Sequence, residues 1–300
     1  MTKKLKADLL LLIITVVWGS SFPLMKIILD FMPSFAYLSL RFLLAAVLLI
    51  VIFHRNLKRF NKRTLLFGSI IGALMFGGMA LQVNGLYTTS ASNSGFITGL
   101  NVVIVPVVSA VLLKKKPDRA SFIGVVVAFA GLFFLSGGLN MNFNIGDFLT
   151  FLCSICWAFQ IIFIDKFTAS EDASLLAIMQ IGFTGIVSTG VWMSTGFQMF
   201  EFNSTVIIVI SVTAVLGTAL AFGGQTIAQK DTSPTHTALI FTAEPVFAAI
   251  FAMIIPNMAG ETEKLGIPSI IGCVLILAGM LISEFKLGQK SRSHVKSAVS

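Results

Sequence analysis

Hydrophobic positions in this chain persist for roughly twenty residues at a time. They show neither the alternation of a strand nor the one-sided stripe of a helix on a soluble core. Crossing about 30 Å of bilayer hydrocarbon takes roughly 17–25 apolar residues in a helix. Stretches that qualify lie near 8–29, 35–53, 65–86, 92–113, 120–138, 147–165, 174–194, 205–226, 235–255 and 267–285. The pattern predicts an all-α integral membrane protein with ten transmembrane helices. The first stretch follows Lys3, Lys4 and Lys6, as a signal peptide would, but it is too long and carries Pro23 and Lys26. It reads as a retained helix.

Laid on itself, the chain repeats. Asp8 falls over Asp147, Trp18 over Trp157 and Lys26 over Asp165. With a slightly larger shift, Gln82 meets Gln225 and Thr89-Ser90 meets Thr232-Ser233. Larger again, Gly124 meets Gly272, and Ala130-Gly131 meets Ala278-Gly279. The shift changes near predicted helix ends, where insertions are tolerated. Residues 1–140 and 141–286 thus read as two repeats of five spans, followed by a basic tail at 287–300. Five is odd, so the second repeat must enter the membrane from the opposite face. Inverted halves of this kind place a solute site near mid-membrane at their seam, an architecture of secondary transporters.

Composition and charge agree. The chain is 56% hydrophobic and 11% charged, with mean hydropathy +0.94, too little polar surface for a soluble exterior. With the N-terminus inside, ten spans put Lys3, Lys4 and Lys6, the basic residues of 54–63 and 114–119, Lys166, Lys230 and the tail on the inner face. Lys26 and Lys264 fall outside, and Arg41 lies within a span. The positive-inside rule expects this bias, with both termini cytoplasmic and the chain in the cell (inner) membrane. The net charge of +8 then needs the lipid bilayer and its anionic headgroups, and no nucleic acid. Cys153, Cys156 and Cys273 lie in spans without a neighbouring His. They read as small packing side chains, so neither metal nor cofactor is expected.

Trp18-Gly19-Ser20-Ser21-Phe22, Arg41-Phe42 and Ala243-Glu244-Pro245-Val246-Phe247, with the run Thr89 to Phe96 before the fourth span, resemble the EamA-type transporters of the drug/metabolite transporter superfamily. The resemblance covers about residues 8–285. It implies ten helices, cytoplasmic termini and a central path lined by the first, third, fourth, sixth, eighth and ninth. It also implies gradient-driven transport, often export, of amino acids, other metabolites or drugs. The 256–266 stretch, with Glu261 and Glu263, departs from the family's pattern.

Polar residues inside a membrane are costly and call for a reason. Ser94, Thr98 and Asn101 form one stripe on the fourth span, and Thr237 and Glu244 repeat its spacing on the ninth. Trp18 and Ser21 share a face of the first span, Trp157 and Gln160 a face of the sixth, and Gln82 and Gln225 sit in apolar surroundings. Together they would build a cavity with aromatic walls and polar donors for a small organic substrate. The alternative for each is an ordinary hydrogen bond between helices. Arg41 and Glu244 are the ionisable residues within spans, at depths differing by only about 7 Å on a helical rise. Either they form a structural ion pair across the repeats, or Glu244 binds a substrate amine or a proton. Pro23, Pro106 and Pro245 each remove a backbone hydrogen bond and favour kinks. The small pairs Gly124/Ala128 and Gly279/Ser283 suit close packing, within the chain or in a homodimer.

Two other classes compete with a transporter. A membrane-embedded lipid-modifying enzyme would need clustered acids or a nucleophile with a base, whereas His54, His236 and His294 are scattered and no phosphate-binding loop is present. A receptor or scaffold on the same fold stays open, because a fold does not fix a function.

Overall fold

The apolar runs fold as helices, and most begin where the sequence supplies a capping side chain. A computed structural model describes residues 3–114, 116–135, 144–256, 260, 262 and 264–297, the side chains of 135 and 284–297 excepted. Its helices are α1 (Lys3–Ile28), α2 (Ser34–Ile52), α3 (Lys62–Gly85), α4 (Ala91–Thr98), α5 (Asn101–Leu112), α6 (Arg119–Leu135) and α7 (Ile145–Phe167). There follow α8 (Ala173–Ser194), α9 (Ser204–Ala214), α10 (Ala221–Ala228), α11 (Pro234–Phe241), α12 (Glu244–Ile254) and α13 (Ile267–Ser297). Asn61, Ser90, Asp172, Asn203 and Ser233 cap α3, α4, α8, α9 and α11 by accepting from free N–H groups. Asn144 and Asp147 form a reciprocal capping box on α7.

Among the described residues there is no strand, and eight helical segments are long and apolar enough to cross a membrane. The apolar stretches Arg119–Phe134 and Ile267–Ser283, at the fifth and tenth predicted spans, are shorter. Large side chains such as Val47, Phe122, Ile186, Ile208 and Val274 stand exposed around the outside. That surface suits lipid, not water.

Three predicted spans depart from simple helices. The fourth breaks between α4 and α5 at Gly99-Leu100, and the ninth between α11 and α12 at Thr242-Ala243. Backbone angles at all four residues are near φ −65° and ψ −15°, the values of a tightened 3₁₀ turn. The eighth span contains a π-helical turn, Val215–Leu220, between α9 and α10. The prolines do not set all these interruptions: α1 continues through Pro23 and α5 through Pro106, while Pro245 falls in the first turn of α12.

Close contacts fix relative helix directions. Gly124 abuts Gly279 and Gly131 abuts Gly272, so α6 and α13 run antiparallel. The small pairs of these helices therefore face one another within the chain. Leu43 covers Gly185, and Ser39 bonds Thr189 at 2.6 Å, which makes α2 and α8 antiparallel as well. Gly78 meets Trp157 and Gly85 meets Gly146, so α3 opposes α7; Met179 and Phe183 of α8 meet Gly68 and Gly72, so α3 parallels α8. At the far end of α1, the Lys26 ammonium donates to the carbonyls of Leu86 and Thr89, tying α1 to the turn after α3. The 140/141 boundary, Glu261 and Glu263 lie outside the described residues, as do the side chains of the tail from 287.

Candidate functional site

A partly open cavity lies where α1, α2, α3, the α4–α5 break, α7, α10 and the α11–α12 break converge, with about 470 Å³ of empty space when its open side is included. Trp18, Ser21, Arg41, Gln82, Thr98, Asn101, Trp157, Gln160, Gln225 and Glu244 all line it. Ser94 does not. It lies one helical turn from Thr98, fully buried, with no hydrogen-bond partner for its hydroxyl among the described residues.

The walls are aromatic because Phe222 stands between the two repeat-related tryptophans. Its ring centroid is 4.8 Å from that of Trp18 and 5.5 Å from that of Trp157, and Phe241 packs on Trp18 at 4.9 Å. Phe22, Met25, Ile161, Met79, Phe222 and Phe241 complete the lining; the last three, being apolar, carry no signal in the sequence that distinguishes them from other membrane-facing residues. The polar side is an amide network. Gln225 donates to Gln160 at 3.1 Å and to Gln229 at 2.9 Å, Gln160 donates to Gln180 at 3.2 Å, and Gln180 donates to Thr226 at 2.6 Å. Gln82 donates to Thr98 at 3.3 Å. The Gln225 and Asn101 side-chain carbonyl oxygens remain buried without a donor among the described residues.

Of the two readings of Arg41 and Glu244, the ion pair is not formed: no contact within 4.0 Å joins the two among the described residues. The π-helical turn captures Arg41 instead. Arg41 Nε donates to Thr218 Oγ1 at 2.7 Å, Nη2 to the Gly217 carbonyl at 3.2 Å and Nη1 to Tyr37 Oη at 3.0 Å. Trp18 Nε1 shares the Gly217 carbonyl at 3.1 Å. A π turn shifts the backbone ladder by one residue and exposes such acceptors, and π turns recur at functional sites. Glu244 opens α12 immediately after the helix break and faces the cavity half-buried. Its carboxylate has neither hydrogen bond nor ion pair among the described residues. No group of three His, Cys, Asp or Glu side chains suited to a metal occurs among those residues.

The EamA-like transporter family matches residues 5–137 and again 144–285. The chain belongs to the EamA-like transporter family. It is 34% identical over 285 residues to an uncharacterized transporter of Archaeoglobus fulgidus, covering 95% of this chain and 88% of that protein. It is 25% identical to the uncharacterized transporter YyaM of Bacillus subtilis, covering 94% of both chains. The uncharacterized inner membrane transporter YedA of Escherichia coli K12 is 24% identical over 82% of this chain and 81% of its own. A solved crystal structure superposes with TM-score 0.73 at 18% identity, covering 93% of this chain and 97% of the other; it shows the fold alone. The cavity thus belongs to a multi-pass membrane protein of a transporter family.

Proposed function

We propose that this chain is a ten-crossing secondary transporter of two inverted halves, both termini cytoplasmic, that exports a small organic solute carrying an amine and an apolar body. The observation that carries the reading is Glu244, an unpartnered carboxylate facing an aromatic-walled cavity within the membrane. An uncompensated charge at that depth is expensive, and a solute ammonium would compensate it. The Gln225 and Asn101 oxygens lack donors in the same cavity and would accept from the remaining N–H groups.

Pairwise contacts support the inversion. Gly124 corresponds to Gly272 and Gly131 to Gly279, and the contacts run crosswise, Gly124 on Gly279 and Gly131 on Gly272. A two-fold axis in the membrane plane produces that exchange, and alternating access follows when each half adopts the other's conformation. Export is what the family resemblance implies.

Flux into proteoliposomes tests the reading. Gradient-dependent movement of amine-bearing amphiphiles should be saturable and should fall at least about tenfold in Glu244→Gln, the loss of one charge-assisted hydrogen bond. No movement of any such solute by the parent protein would favour a scaffold; full activity in Glu244→Gln would remove the carboxylate from recognition.

A further inference from the structure

Outside the cavity, two equivalent clusters close the two ends of the seam. At one mouth, Asp147 on the first turn of α7 accepts at Oδ1 from Thr89 Oγ1 at 2.6 Å and from Asn93 Nδ2 at 2.5 Å. Asn93 is held at the start of α4, its N–H donating to Ser90 Oγ at 3.0 Å. The other repeat builds the counterpart at the opposite mouth. There Asp8 on α1 faces His236, whose N–H donates to Ser233 Oγ at 3.3 Å at the start of α11. Asp8 corresponds to Asp147, Ser233 to Ser90 and His236 to Asn93. Each cluster ties a helix of one half to a helix of the other, so one must open for each half-cycle. They differ in chemistry. One mouth is closed by a neutral amide, the other by an imidazole.

His236 Nε2 lies 3.2 Å from Asp8 Oδ1 and 3.3 Å from Lys4 Nζ, while Lys4 Nζ is 2.9 Å from Asp8 Oδ2. Nε2 is hydrogen-bonded to Lys4 Nζ, while Asp8 Oδ1 is buried without a hydrogen-bond donor among the described residues, and one nitrogen cannot serve both neighbours in a single protonation state. With a proton, Nε2 would turn from Lys4 to donate to Asp8 Oδ1 and form an ion pair. With a bare lone pair, it can only accept from the Lys4 ammonium, the arrangement in this structure, and it gives Asp8 no hydrogen bond. Imidazole is the side chain whose charge ordinarily changes between pH 5 and 8. The other charges on elements packed here are Lys3, Lys6 and Lys26 on α1, Lys230 and Asp231 before α11, Arg119 on α6, Asp147, Asp165 and Lys166 on α7, and Glu244 on α12, while those of α13 from Glu284 on belong to side chains outside the described ones. Among the described side chains these are all ammoniums, guanidiniums or carboxylates. His236 is 4% exposed and Asp8 12%, which keeps their interaction from being screened away.

We propose that Asp8 and His236, with Lys4, form a proton-binding latch at the mouth beside the N-terminus, shut by the bound proton, whereas the Asp147–Asn93 latch at the far mouth is insensitive to pH. A transporter so built opens that mouth less as the adjoining compartment acidifies. The inference rests on the two-mouthed reading above, but its test needs no solute. Thr237 and Ser94, one residue beyond each latch and buried, serve as matched cysteine probes in the full-length protein in lipid nanodiscs. Alkylation at each is read peptide by peptide by mass spectrometry at pH 5.5 and 7.5.

The rise in Thr237→Cys labelling over that interval should be at least about threefold greater with His236 present than with His236→Asn. Comparing the two proteins cancels the reagent's own pH dependence. Asp8→Asn should flatten the response equally, and Asn93→His should confer it on Ser94→Cys. Asparagine already faces an aspartate at the equivalent place, so the fold accommodates His236→Asn. Equal responses with and without His236 would overturn the latch. Loss of flux in the parent protein would instead overturn the transporter reading and leave the labelling result standing.

Discussion

A β-carbon on Gly124 would sit 2.6 Å from the carbonyl oxygen of Gly279, and one on Gly279 would sit 2.6 Å from that of Gly124. Each helix backbone fills the space a side chain would need on the other. Because the opposing atoms are backbone, no rotamer change relieves the clash. Gly124→Val or Gly279→Val should drive α6 and α13 apart, costing about 1–3 kcal/mol as other overpacked interiors do. The check is the thermal unfolding midpoint of the protein in lipid nanodiscs. An unchanged midpoint would mean the two backbones do not touch.

Arg41 yields a second expectation. Its guanidinium is 1% exposed and is held by neutral acceptors, Thr218 Oγ1 above all. Thr218→Val keeps the shape but leaves Nε buried without an acceptor, a penalty of about 1–3 kcal/mol. Arg41→Lys should not be milder, since an ammonium cannot reach Thr218, Gly217 and Tyr37 with one planar fork. A thiol-reactive dye reporting exposure of buried Cys153 during heating would measure both. Equal stability of Thr218→Val and the parent would refute the anchoring role.

What the sequence could and could not reveal follows from which forces act locally. The apolar runs are local, so the helices fall close to the predicted stretches, and the repeat register brings Gly124 and Gly131 to real contact surfaces. Depth is local too: a rise per residue placed Arg41 and Glu244 at similar heights, and both line one cavity. Direction around the helix axis is not. Arg41 turned towards a π turn that no residue in Val215–Leu220 announces, and the pair with Glu244 never formed. The breaks at Gly99-Leu100 and Thr242-Ala243 use ordinary right-handed backbone angles, which any residue adopts, so composition held no marker for them. Nothing in the sequence marks Gln180 and Gln229 as part of the site, because their value lies in joining Gln160 and Gln225 across helices.

Asp172 supplies a pH-dependent stability in the loop before α8. Partial burial pushes its carboxyl up, but bonds from the Ser174 hydroxyl, the Ser174 and Leu175 N–H groups and nearby Arg59 outweigh that, holding it below the ordinary 3.8. A carboxyl lowered by folding stabilises the native state above its unfolded value, and that contribution disappears as pH falls through the folded one. Asp172→Asn retains a capping oxygen but not the charge. It should lower the unfolding midpoint at pH 7 and match the parent once the pH has fallen through the carboxyl's lowered folded-state value. A gap that persists in acid would assign the effect to the cap geometry, not the charge.

Phe222 offers a test of the cavity's walls. The ring is buried between Trp18 and Trp157 and makes both tryptophans part of one surface. Aromatic pairs contribute about 0.5–1.5 kcal/mol beyond the area they bury, so a ring-bearing solute entering this stack would gain what an aliphatic one of equal size would not. Phe222→Leu preserves an apolar wall and removes the stacking face. KM for aromatic solutes should therefore rise by about two- to tenfold, while KM for aliphatic solutes and the maximal rates stay near parental values. A parallel rise for both classes would mean that Phe222 shapes the cavity's volume without selecting what enters it.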